Sequence, residues 1–214
     1  MFRYAGGTPA LQRKAQGDTL KKVTAREIMA DCEPSFTAGS CVLQRPEIGG
    51  IIQHALLHFE GERYNLSAWC VMPNHIHVVM SPLGSHELSR ILHSWKSFTS
   101  KEINKILNRN GRLWEPESFT HLIRSVEDLE RFITYTEQNP FKAGLCQSAE
   151  DWPFSSCSAS CSAGVPPASL HSIEFIDPRA TPFAPLRCRG KLPHLYKEGG
   201  TYFVTFCLAD AWGS

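Results

Sequence analysis

The sequence contains no run approaching about 18 apolar residues, so no helical membrane span is expected. Its first stretch, MFRYAGGTPALQRK, lacks the apolar core of a signal peptide. There is no C-x-x-C pair. The eight cysteines stand at 32, 41, 70, 146, 157, 161, 188 and 207. Cys157 and Cys161 are four apart, but no second pair with zinc-site spacing follows. A reducing, cytoplasmic setting is therefore expected, with Cys70 and Cys207 as buried thiols in apolar, strand-like runs. Net charge is nearly absent, at +1, so any signal for nucleic acid must be local. With 42% hydrophobic and 20% charged residues the chain is ordinary for a globular protein. Its 214 residues suit one domain with appendages or two small domains.

What is present centres on Trp69–Met80, WCVMPNHIHVVM. Two β-prone runs, 64–72 and 75–81, flank a Pro-Asn break, which predicts an antiparallel hairpin. His75 and His77 open the second strand. Residues at i and i+2 of a strand share a face, so both imidazoles can meet one metal ion. The bland alternative is a pair of ordinary histidines in a chain that holds nine.

Around this hairpin the periodicity predicts three helices. The first, Pro46–Phe59, has proline at its start and Ile48, Ile51, Ile52, Ala55, Leu56 and Phe59 on one side. Gly61 ends it. The second runs from Ser85 or His86 to about Asn108. It overlaps a basic run of Arg90, Lys96, Lys101, Lys105, Arg109 and Arg112, interrupted by the single acid Glu102. Such a run is either a solvated helix face or a surface that tracks phosphates. The third, Val126–Gln138, is capped by Ser125, with Asp128 at its third position. Asn139-Pro140 is expected to break it, with a short helical continuation over 141–145 as the alternative. A short strand at 119–124 precedes this helix, and Trp152-Pro153-Phe154 follows it as a packing anchor.

The flanks differ in character. Residues 1–10 read as a tail, and 11–31 show only weak helical periodicity. Residues 157–190 are rich in Ser, Ala and Pro and read as a linker. AGVPPA at 163–168 echoes AGGTPA at 5–10, a weak internal match. Order returns at Thr201–Leu208, TYFVTFCL, a strong strand pattern after the turn residues Lys197-Glu198-Gly199-Gly200.

Tyr135 and Asn139 are four apart and share a helix face if the third helix holds one more turn. A tyrosine hydroxyl can attack a phosphodiester and retain the 5′ phosphate covalently. Its ordinary pKa is near 10, so it needs an activated electrophile. A divalent ion on His75 and His77 would polarise the phosphate. An amide oxygen from Asn139 would suit as a third ligand, and mixed N/O ligation favours magnesium or manganese over structural zinc.

These motifs, in order, resemble one family. They are MPNHIHVVM, LSRILHSWKSFTSKEINK, WEPESFTHLIRSVEDLERFITYTEQNPFKAGL and EDWPFSS. Over roughly residues 40–157 the chain resembles the REP-associated tyrosine transposases, which are HUH single-strand transposases with one catalytic tyrosine. The resemblance implies a ferredoxin-like α+β fold with helices packed on an antiparallel sheet. It implies His75, His77 and Asn139 as ligands of a Mg2+ or Mn2+ ion, and Tyr135 as nucleophile. It implies metal-dependent cleavage and rejoining of single-stranded DNA at hairpin-forming palindromic repeats through a 5′-phosphotyrosine, without ATP. Lys96, Lys101, Lys142 and Arg124 are candidate DNA contacts. Thr136 departs from the aliphatic residue more usual after the tyrosine.

A larger departure is one of order. In the family a segment like RGKLPHLYKEGGTYFVTFCLAD comes first and supplies the opening strand. Here it occupies 189–210. The expected organisation is therefore a tail over 1–10, a transposase domain over 11–157, a linker over 158–188, and a segment over 189–214 that completes the sheet. A flexible linker of about 32 residues spans roughly 30 Å, enough to return the strand to its own sheet. The alternative is donation to a second chain, so a monomer or a strand-swapped dimer. Two other functions compete: a decayed protein that binds hairpin DNA without cutting, and a nucleotide phosphohydrolase. The latter uses only the His pair and leaves Tyr135 unexplained.

Overall fold

The computed structural model describes residues 39–158, 187–188, 193–194, 197 and 199–211. The readings of residues 1–31, of both repeat-like segments and of nearly all of the linker lie outside the described residues.

Helix α1 is Pro46–Leu57, with Ile48, Ile52, Ala55 and Leu56 buried. Proline suits the first turn because its missing N–H would have had no helical partner there. Gly61, at φ 76, then turns the chain. Strands β1 (Tyr64–Val71) and β2 (His75–Pro82) form the expected antiparallel hairpin. A bulge between Leu66 and Ala68 shifts the phase of β1 by one residue. Leu66 and Trp69 thus face one core cluster, while Ala68 faces the other. Helix α2 (Leu88–Ile106) buries Leu88, Ile91, Leu92, Trp95, Thr99 and Ile103. Strand β3 is Phe119–Leu122. Helix α3 is Val126–Lys142, and the Ser125 hydroxyl accepts the Asp128 N–H at 3.1 Å, the predicted cap. Two-residue strands β4 (Arg187–Cys188) and β5 (Pro193–His194) pair with each other. Strand β6 is Tyr202–Cys207.

One expectation fails. Asn139-Pro140 does not break α3, which runs through Pro140 to Lys142. Proline lacks only its own N–H, so the loss falls on the Thr136 carbonyl four residues back. The next turns are intact: Ala143 N–H donates to Asn139 O and Leu145 N–H to Pro140 O, both at 2.9 Å.

The main sheet has the order β1-β2-β6-β3, and every neighbouring pair is antiparallel. Strand β6 sits in the interior, between β2 and β3 of its own chain. Counted from β6 as first strand, the order is 4-1-3-2 with a helix after the first and third strands, which is the ferredoxin-like arrangement. The place where β6 would lead into α1 is closed by contact rather than by chain. Ser40 N–H donates to the Asp210 carboxylate at 3.1 Å.

The sheet has two unlike faces. Ile76, Val78 and Met80 of β2 join Tyr202, Val204 and Phe206 of β6 in a large apolar cluster with α1 and α2. Val79 and Phe203 belong to a smaller cluster with Leu129 and Phe132 of α3. The outer edge of β1 is covered by the predicted anchor. Trp152 Nε1 donates to Val71 O, Val71 N–H donates to Phe154 O, and Ser156 N–H donates to Trp69 O, each at 2.9 Å. Covering that edge removes an open pairing template. Gly49 makes room for the Phe154 ring, which an added Cβ would meet at 2.6 Å.

Candidate active site

The hairpin turn Met72–Asn74 delivers His75 and His77 to the α3 side of the sheet. Both are buried. Their Nε2 atoms lie 3.0 Å apart. Their other ring nitrogens are each held by an oxygen. His75 Nδ1 is 2.7 Å from Asn74 Oδ1, and His77 Nδ1 is 2.8 Å from Thr205 Oγ1. The register accounts for the second contact, because His77 pairs with Thr205 across β2 and β6. Phe203 stacks on the His77 ring, 5.5 Å between centroids at 19°.

Helix α3 closes the site from above. Because the helix survives Pro140, Tyr135 and Asn139 stay one turn apart on the same face. The Asn139 amide nitrogen is 3.1 Å from His77 Nε2. A half-turn of the amide puts Oδ1 in that place. The Tyr135 ring stands edge-on to His77, 5.3 Å between centroids at 67°, and 5.8 Å from Phe203. The Lys142 ammonium is 5.9 Å from the Tyr135 ring centre. His75, His77, Tyr135 and Asn139 are therefore brought together, although 62 residues separate His77 from Asn139 in sequence.

The donor set fits a divalent ion. Two nitrogens bound at about 2.1 Å and near a right angle lie about 3.0 Å apart. The observed Nε2 separation is 3.0 Å. Among the described residues no three His, Cys, Asp or Glu side chains converge. Asn139 is the polar group beside the two rings. Burial pushes His75 down to about 3. Burial also pushes His77 well down, and its neighbour His75 adds to the effect. Both rings are thus neutral at ordinary pH, the form that ligates metal.

The candidate DNA contacts scatter. Lys142 is exposed beside Tyr135, and Arg124 is exposed just past β3, with its charge on His121. Lys96 and Lys101 lie on α2, across the sheet from the histidines. Lys96 is turned inward. Its ammonium donates to the carbonyls of Glu115 (2.9 Å), Pro116 (3.4 Å) and Glu117 (3.2 Å) and lies 5.5 Å from the Phe206 ring centre. Burial lowers it to about 8. The basic run is otherwise largely spent at short range. Lys105 pairs with Glu102 at 2.8 Å, Arg90 with Glu87 at 3.6 Å, and Arg109 donates to Arg112 O at 2.8 Å. The solvated-face reading describes it better than a phosphate track.

Sequence reasoning missed Asn74, Thr205 and Phe203. Asn74 was readable as the neighbour of His75. Thr205 and Phe203 carried a fainter signal, alternate positions of one strand, which becomes meaningful only with the register.

Against this geometry, residues 46–139 match the family described as Transposase IS200 like. The REP-associated tyrosine transposase of Escherichia coli (strain K12) is 28% identical over 107 residues, 49% of this chain and 62% of that protein. A second relative, from Haemophilus influenzae, is 32% identical over 99 residues, 42% of this chain and 56% of its own length. The chain thus spans less than two thirds of these relatives. A solved structure of a REP-associated tyrosine transposase bound to a REP hairpin has a TM-score of 0.47 and 26% identity, over 55% of this chain and 68% of that one. In class, residues 46–139 are similar to IS200-like transposases. Within that class, the chain resembles the REP-associated tyrosine transposases.

Proposed function

We propose that the chain is a DNA transposase that cleaves and rejoins single-stranded DNA at hairpin-forming repeats through a 5′-phosphotyrosine. The observation that carries this is the meeting of His75, His77 and Asn139 at one point, with the Tyr135 ring against His77. The names of the relatives support DNA transposition as the overall activity.

Tyr135 is the nucleophile. Its phenolic oxygen attacks phosphorus and loses its proton, the bond to the 3′ oxygen breaks, and that oxygen takes up a proton as a free 3′ hydroxyl. One P–O bond replaces another, so no ATP is needed, and a second 3′ hydroxyl reverses the step to rejoin strands. A Mg2+ or Mn2+ ion held by His75, His77 and Asn139 would polarise the scissile phosphate and steady the leaving oxygen. Lys142, 5.9 Å from the Tyr135 ring centre and exposed, is placed to meet the DNA backbone beside the nucleophile. Lys101 and Arg124 are further candidate contacts, whereas Lys96 is committed to the fold. Such an enzyme acts in the cytoplasm.

We also infer that the chain is circularly permuted relative to its relatives. The interior position of β6 and the contact between Ser40 and Asp210 support this. Gel filtration with multi-angle scattering separates the monomer, which is expected, from a strand-swapped dimer.

The test is covalent capture. A single-stranded hairpin oligonucleotide incubated with manganese and protein is expected to give a denaturant-stable adduct that Tyr135→Phe abolishes. An undiminished adduct in that variant would falsify the assignment of the nucleophile. Tight hairpin binding with no adduct in the wild type points instead to a binding protein that has lost cleavage.

A further inference from the structure

Thr205 belongs to β6, 128 residues away from His77 in sequence, yet its hydroxyl is the partner of His77 Nδ1 at 2.8 Å. Both residues are almost completely buried, at 1% and 0% exposure, so bulk solvent does not reach the contact. We propose that Thr205 is a positioning residue for the metal site: it fixes the rotation and tautomer of His77 so that Nε2 presents a lone pair to the ion. This rests on the metal-dependent reading above and extends it to the late strand.

The chemistry of a hydroxyl suits the role. His75 Nδ1 faces Asn74 Oδ1, an acceptor that suits a proton on Nδ1 and leaves the Nε2 lone pair for an ion. A metal-bound His77 must do the same. A threonine oxygen can accept the Nδ1 proton, or donate to Nδ1 when no ion is bound, by rotating its O–H. Each ligand ring is thus held by an outer oxygen, the arrangement that orients metal-binding imidazoles. The two holders differ in origin. Asn74 is adjacent in the chain to the ring it holds. Thr205 reaches His77 only because β6 lies beside β2 in register. The late segment therefore contributes to the metal site as well as filling the sheet.

The experiment measures Mn2+ affinity by titration calorimetry on the full chain, without DNA. Thr205→Val keeps the shape and removes the hydroxyl, and should weaken binding by about 10–100-fold. Thr205→Ser restores the hydroxyl and should stay within about 3-fold of wild type. A purely structural role moves Tm in both and leaves metal affinity alone. Valine binding as tightly as wild type, or serine binding as weakly as valine, overturns the proposal and leaves the transposase reading standing. A wild type that binds no Mn2+ overturns both. If the valine variant does not fold, long-range 1H–15N spectra of the Mg2+-loaded wild type decide. A proton on His77 Nδ1 supports the proposal, and one on Nε2 overturns it.

Discussion

The two faces of β2 and β6 are made from alternate residues of the same strands, and they do different work. Toward α1 and α2 the residues are Ile76, Val78, Met80, Tyr202, Val204 and Phe206, all apolar and closely covered. Toward α3 they include His75, His77 and Thr205, with Val79 and Phe203 as the only large apolar surface beside them. One face supplies stability from buried area. The other holds polar groups that are costly to bury and are retained in a hydrogen-bonded set. The lesson is that a two-residue alternation lets a single strand serve as core and as candidate active site at once.

Loss of packing on the apolar face is the strongest way to break this division. Phe206→Ala should cost about 3–5 kcal/mol in denaturant unfolding, with adduct formation by the surviving folded fraction unchanged per molecule. An equal loss of both would mean that the faces are not separable. Acid acts on the other face. Burial lowers the His75 pKa from the ordinary imidazole value of about 6.5 to about 3. The unfolded chain therefore binds a proton that the folded one refuses, and stability is complete above 6.5 and lost as pH falls toward 3. In chelator-treated protein this should amount to about 2 kcal/mol at pH 5 from His75 alone, and His77 acts in the same direction. A flat stability profile between pH 7 and 5 would rule out the buried neutral pair.

Smaller effects sharpen the contrast. Lys96→Ala removes the donor to three carbonyls of the 115–117 loop and should cost about 1–3 kcal/mol without changing DNA affinity. Lys142→Ala should do the reverse, weakening hairpin binding in a gel-shift assay with Tm unchanged. The smallest effect is a gain. Thr136 is fully buried and its hydroxyl has no hydrogen-bond partner among the described residues. Thr136→Val should raise stability by about 1 kcal/mol, read as a shift in denaturation midpoint.

Much of this was legible before any coordinates. The hairpin, the shared face of His75 and His77, the Ser125 cap and the strand at 201–208 follow from alternation, turn chemistry and capping, all local rules. The continuation of α3 through Pro140 was legible only as the alternative, because local preference says stop. Packing of the buried Asn139 and Pro140 against the sheet outweighs one lost carbonyl partner. The inward turn of Lys96 was not legible for a related reason: a basic run on a helix says nothing about which member finds carbonyls beneath it.

The sequence by itself determined the elements, the shared face of His75 and His77 and the one-turn spacing of Tyr135 and Asn139, because each is set by residues within a few positions of one another. Only the tertiary structure decided that β6 lies beside β2, that Thr205 holds His77 and that α3 closes over both. Those depend on register between segments more than a hundred residues apart, and register is fixed by burial of whole faces rather than by any short motif.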